Sequence, residues 1–278
     1  MSHAPRVHRE ESLYFFILGQ RVRIDCAVPA VRSLLTTGFG AMEVAHAEPS
    51  DLHYTVNWSE DAFSIAREGQ DPLSGEGLSD LLFVLEKDVT IELQRRRPEL
   101  LFLHSAAAER KGKAYLFAAA GGRGKSTTTW ALLHHGFQYL SDELSPIDLD
   151  SLTVLPYPHA LCLKQRPPIP YGLPEQAIDL GRTIHVPAEA LPGPVASAPW
   201  PIGAAFLITH RPGLVAPELR DLSTAEASAH LYATALNLLA HPNHGLDAIV
   251  RVAQHVPCFA LDSADLSSTC ALIRSVVA

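Results

Sequence analysis

Between the apolar run Tyr115-Leu116-Phe117 and a helical stretch that opens at Lys125, the chain carries Ala119-Ala120-Gly121-Gly122-Arg123-Gly124. Apart from Arg123, none of these residues has a side chain larger than a methyl group. The backbone there is free to turn sharply and to expose its own N–H groups. A strand that enters such a loop and leaves it as a helix needs a sheet beside it and cover on both faces, which points to a layered α/β architecture.

The residues that follow sharpen this expectation. Lys125 places an ammonium group and Ser126 a hydroxyl at the start of the helix, where the backbone dipole is positive. Small residues whose amides converge, then a lysine, then a hydroxyl, are what a phosphate-binding loop requires. Ala120, Gly121, Gly122, Arg123, Gly124, Lys125, Ser126 and Thr127 are therefore the expected nucleotide-binding residues. Ala119 occupies the position where the usual pattern has its first glycine, a substitution that a negative φ tolerates. The plainer reading is a glycine turn before a helix. A phosphate loop reads phosphates, so ATP is expected over GTP on general grounds and not from these residues.

A second feature follows one helix later. Tyr139-Leu140-Ser141-Asp142-Glu143-Leu144 sets two adjacent carboxylates after an apolar strand. In open α/β sheets the C-terminal strand ends gather at the ligand crevice, so Asp142 is expected beside the loop if the two strands are near neighbours. One carboxylate would then hold Mg²⁺ and the other accept the proton of an attacking hydroxyl. The plainer reading is an exposed Asp-Glu turn.

The rest of the chain is organised around this region. Tyr14 to Leu18 and Val22 to Cys26 read as a strand pair about Gly19-Gln20, and Leu52, Tyr54, Val56 and Trp58 alternate as a half-buried strand. Leu78, Leu81, Leu82, Leu85, Val89 and Leu93 recur at helical spacing, and Pro98 ends that helix. Residues 1–98 are expected to form a smaller α+β unit and residues 99–278 the principal domain. Leu101 to Leu103, Ala114 to Ala118 and Phe137 to Leu140 read as strands, and Gly136 suits the end of the helix that starts at Lys125. From Ser151 to Pro201 prolines are dense and an irregular β region is expected. Ser223 and Glu226 predict a capping box for a helix reaching about Leu239, with Pro242 beyond it. A helix from Leu246 to Gln254, a strand from Cys258 to Leu261 and a last helix complete the chain.

Composition excludes several classes. A formal charge of -8 argues against nucleic-acid binding, and Arg95-Arg96-Arg97 reads as a solvated helix end. Cys26, Cys162, Cys258 and Cys270 are too scattered for a disulfide framework or a zinc site. With no apolar run near the roughly 18 residues that span a bilayer and a polar segment from Met1 to Ser12, no membrane association and a cytoplasmic location are expected. Fourteen histidines invite a metal reading, but His134-His135 face different sides of a helix and His241 and His244 flank Pro242.

Three segments together resemble a known family. Leu103-His104-Ser105-Ala106-Ala107, the glycine loop through Thr127, and His135-Gly136-Phe137-Gln138-Tyr139-Leu140-Ser141-Asp142-Glu143-Leu144 are similar to the catalytic domain of HPr serine kinase/phosphorylase. More narrowly, the chain resembles the HPr-kinase-related proteins of peptide-modification systems, including kinases of lasso-peptide precursors. The likeness continues through Pro158-His159-Ala160-Leu161-Cys162-Leu163-Lys164, then Ala235-Leu236-Asn237 and His244-Gly245-Leu246. It implies an α/β P-loop domain of the HPr kinase and phosphoenolpyruvate carboxykinase type, and Mg-ATP-dependent phosphorylation of a serine on a peptide or small protein. By position, the resemblance makes Asp142 the general base and Ser126 the Mg²⁺-binding hydroxyl. Glu143 stands where the family has a second aspartate and is expected to serve catalysis and the metal. His104 matches a histidine near the phosphates, and the other reading of it is a hydrogen-bonded core histidine. The family's Arg-Gly segment has only a reversed echo here, Gly181-Arg182. HPr kinases form oligomers, which makes a homo-oligomer an expectation. A small-molecule kinase and a non-catalytic ATP-binding protein are the alternatives, and Lys164 is open between a phosphate contact and a surface lysine.

Overall fold

The computed structural model describes residues 11–46, 48–119, 122 and 124–277. It is a mixed α/β structure built around three sheets.

The first sheet takes β1 (Ser12–Ile17), β2 (Gln20–Asp25), β3 (Leu52–Ser59), β4 (Ala62–Arg67) and β5 (Leu73–Glu76), paired in that order. The β1–β2 hairpin turns on Leu18 and Gly19, both left-handed (φ 49° and 82°), the conformation that a two-residue hairpin demands. Strands β2 and β3 run parallel, and α1 (Pro29–Phe39) makes the crossover. Helix α2 (Leu78–Arg96) packs Leu81, Leu82, Leu85, Val89 and Leu93 onto this sheet, as its spacing predicts. The same core takes in Leu100, Phe102, Leu144 and Tyr157 from later in the chain, so apolar packing runs continuously from the first sheet to the second.

After β6 (Leu100–Leu103), β7 (Ser105–Arg110) and β8 (Lys113–Ala118), the glycine segment leads into α3 (Lys125–Leu133). Next come β9 (Gln138–Ser141), β10 (Ser145–Asp148), β11 (Thr153–Val154), and a small sheet of β12 (Leu161–Leu163), β13 (Ile178–Asp179) and β14 (Ile184–Val186). Strand β15 (Trp200–His210) returns to the second sheet, followed by β16 (Glu218–Asp221), α4 (Thr224–Thr234), α5 (Leu246–His255), β17 (Cys258–Ser263) and α6 (Leu266–Val276). The second sheet runs β6-β10-β11-β15-β8-β7-β9, with β17 on β15 and β16 on β17. Strands β8, β15 and β17 are parallel and form its centre. Neighbouring residues supply opposite faces. Phe117 and Phe206 pack with Trp130 of α3 and Ile273 of α6, whereas Leu116 and Ala205 pack with Leu231 of α4 and with Ile249 and Val252 of α5.

Several sequence expectations need correction. The helix after Ser223 has its capping box but stops at Thr234, because Ala235 bridges to Leu103 and Asn237 turns its amide onto β6. The irregular region gives way at Trp200 to the longest strand in the molecule, β15, which the proline content hid. Helix α1 and strand β7 also went unread in the sequence. Arg97 is no solvated helix end; it reaches back to the carbonyl of Leu18. Rings of both His134 and His135 pack on Tyr171, at 5.4 and 5.8 Å, so the pair shares one neighbour instead of diverging. Among the described residues no helix is long and apolar enough to cross a membrane, and the four cysteines are free.

Candidate functional site

Of the expected loop residues, Ala120, Gly121 and Arg123 lie outside the described residues. The remainder is a left-handed glycine pair leading into a helix. Gly122 and Gly124 are left-handed, at φ 77° and 98°, a region that costs other L-residues ~1–2 kcal/mol. Ala119 is not among the left-handed residues, so its methyl group is accommodated without strain. Gly124 is the N-cap of α3, and Lys125, Ser126 and Thr127 form the first turn. The helix closes at Gly136, where Gly136 N–H donates to Leu133 O at 3.3 Å and Phe137 N–H to Leu132 O at 3.4 Å.

The acidic pair arrives by an indirect route. Strands β8 and β9 are not adjacent; β7 lies between them and pairs antiparallel with each. Two strands antiparallel to one partner run the same way, so the end of β9 still falls on the loop's edge of the sheet. Lys125 Nζ lies 3.6 Å from Asp142 Oδ1 and 3.3 Å from Glu143 Oε1, and it donates to the Asp142 carbonyl. His104, at the end of β6, places Nδ1 3.4 Å from Glu143 Oε2. The structure thus brings together Lys125, Asp142, Glu143 and His104.

These groups differ in solvation. Asp142 is 1% exposed, and its Oδ2 accepts the Cys162 N–H at 3.1 Å. Oδ1 is buried without any hydrogen-bond donor, which leaves a carboxylate oxygen able to take a proton or a donor. Burial, chiefly, raises the Asp142 pKa; Lys125 opposes the rise, Glu143 adds to it, and the Cys162 amide and Ser126 hydroxyl resist it weakly. Burial also works against the Lys125 ammonium, but Asp142 and Glu143 outweigh it and the lysine holds its proton more firmly than in water. His104 is held below its ordinary value, first by burial and then by Lys125, so it stands neutral at pH 7. Glu143 is half-exposed and faces an open cleft.

Two further residues emerge from the folded chain. Lys164, just past β12, carries its Nζ 3.8 Å from where a Cβ on Gly122 would stand, which brings a second cation over the loop. His210 ends β15, and its Cβ is 3.8 Å from the corresponding point on Gly124. Sequence reading left Lys164 open and overlooked His210, because β15 was not recognised and the end of a parallel strand marks a site only once the strand is known. In the Gly181-Arg182 segment, Arg182 pairs with Asp80 at 3.3 Å and lines the cleft that also takes in His104, Glu143 and Lys164.

A nucleotide phosphate fits these residues: left-handed glycines, a helix N-terminus, and the cations Lys125 and Lys164 converge on one edge. Among the described residues no cluster of three or more His, Cys, Asp or Glu could hold a metal alone. A Mg²⁺ ion would rely on the Ser126 hydroxyl and the Asp142-Glu143 carboxylates together with phosphate oxygens, which is the ligand set that Mg²⁺ prefers. The chain matches no protein-family model, and comparison with curated proteins found no match.

Proposed function

We propose that the chain is a Mg-ATP-dependent kinase with a P-loop domain of the HPr kinase type, acting on a serine hydroxyl of a peptide or small protein. One observation carries this reading: at the head of α3, Lys125 meets a buried carboxylate whose Oδ1 has no hydrogen-bond donor. Phosphoryl transfer needs a proton acceptor beside the phosphate, and this free oxygen supplies one.

Lys125 and the amides of the loop bind and neutralise the phosphate oxygens, and Lys164, whose Nζ lies over Gly122, adds charge. Ser126 and the Asp142-Glu143 carboxylates would hold a Mg²⁺ ion, which would supply further neutralisation of phosphate charge. Asp142 Oδ1 orients the acceptor serine and takes its proton as the serine Oγ bonds to the γ-phosphorus and the bond to the bridging oxygen breaks, releasing ADP. Neutral His104 holds the Glu143 carboxylate in place.

Incubation with γ-labelled ATP and separate peptide and metabolite pools tests the proposal. Label in the peptide pool is the expected result. Label confined to metabolites would turn the reading to a small-molecule kinase, and calorimetric ATP binding without transfer to either pool would sink it.

A further inference from the structure

A cleft of about 620 Å³ opens directly from the candidate site. Its floor includes Glu143, His104 and Lys164, and its outer wall is helix α2. Along that helix Phe83, Lys87, Thr90 and Gln94 follow one another at spacings of four, three and four and all line the cleft. This is the face of α2 that the core does not use; Leu81, Leu85, Val89 and Leu93 take the other. One helix thus has two apolar-bearing faces, one packed and one open. Phe83 is 50% exposed on it, and Leu236, across the cleft, is 44% exposed.

Charge gives the open face a direction. The cleft's carboxylates already have internal partners: Glu86 pairs with His159 at 2.8 Å, and Glu143 with Lys125. Arg182 pairs with Asp80 and lies over the Phe83 ring at 5.2 Å. Lys87, by contrast, is exposed and enters no ion pair among the described residues. The wall therefore offers an uncompensated cation next to apolar surface. From Ser79 to Gln94 it extends about 22 Å at 1.5 Å per residue, the reach of about seven residues of extended chain.

From this geometry we infer that the outer face of α2 is the acceptor-reading wall, taking an extended peptide that carries an acidic side chain toward Lys87 and an apolar one between Phe83 and Leu236. The inference rests on the kinase reading for the acceptor serine, but the wall's preference is a property of binding and is measured separately. It makes the first hundred residues the specificity element of the protein, and leaves the chemistry to the second sheet.

Two fluorescein-labelled synthetic pools test it, seven-residue peptides with a central serine and randomised flanks, one biased to Asp and Glu and the other to Lys and Arg. Anisotropy measures binding and γ-labelled ATP measures transfer. The acidic pool is expected to bind at least about tenfold more tightly, about 1.4 kcal/mol. Lys87→Glu is expected to reverse the preference, a gain of affinity for the basic pool that misfolding cannot produce, and Lys87→Gln to abolish it. Equal binding of both pools, or an unchanged preference in Lys87→Glu, overturns the wall. Preferential binding of the acidic pool without phosphate transfer upholds the wall and counts against the kinase instead.

Discussion

Asp142 is subject to opposed demands. To accept a proton it must be ionised, yet burial and the neighbouring Glu143 resist ionisation. Its pKa stands above the ordinary carboxylate value of 3.8, so activity is expected to be complete above the raised value and to fall as pH drops through it. Glu143→Gln removes a like charge and should shift the acid limb of the kcat/KM profile to lower pH; an unmoved limb would dissociate that limb from Asp142. Asp142→Asn should lower the transfer rate by about 10²–10⁴-fold, with ATP affinity by calorimetry close to that of the parent. Full transfer by this variant would remove Asp142 from the chemistry. Lys125→Met acts at the other end of the contact and should lose ATP binding along with transfer, because the same side chain neutralises phosphate.

At the scale of elements, a single amide replaces a turn of helix. Asn237 Oδ1 accepts the Phe102 N–H at 2.9 Å and its Nδ2 donates to Leu100 O at 2.8 Å, so the segment after α4 is stitched to β6. Asn237→Ala strands the Phe102 N–H, while Leu100 O keeps His241 Nε2 at 3.2 Å, and should lower the unfolding free energy by about 1–3 kcal/mol, read from the urea midpoint. A loss under about 0.5 kcal/mol would show that water serves β6 equally well. Local chemistry explains which elements were legible. The stripe of α2 and the Ser223-Glu226 box announce themselves by spacing, and both form. Strand β7 contains Ala106-Ala107-Ala108, residues poor in strand propensity, and is a strand because β8 and β9 hold it from both sides. Strand β15 is buried on both faces over Ala204–Ile208, so it shows no alternation, and Pro201 and Gly203 disguise its start. In the site, Lys125 and Asp142 were visible because each ends a readable element. Lys164 and His210 reach the loop only through the closure of the sheet, a relation that no local pattern encodes.

The two large sheets meet where Glu86 of α2, partly exposed to the cleft, pairs with the buried His159 ahead of β12. Burial alone would lower the His159 pKa, but Glu86 outweighs it, with Glu143 contributing, and the folded value lies above 6.5. A raised histidine stabilises fully below its unfolded value and loses that contribution as pH rises through the folded one. The urea midpoint should therefore decline as pH rises above 6.5 through the raised folded value, and Glu86→Gln should flatten the decline. An equally steep decline in that variant would assign the effect elsewhere. The junction matters for the proposed activity because α2 is at once core and cleft wall. Strand β15 has a different consequence, one of timing. It pairs with β8 through Ala205↔Leu116 and Phe206↔Phe117, so the strand that feeds the phosphate loop lacks its central neighbour until residues made long after it have emerged. During synthesis the glycine segment and Lys125 exist well before the strand that flanks β8, so the proposed nucleotide site is completed late in folding.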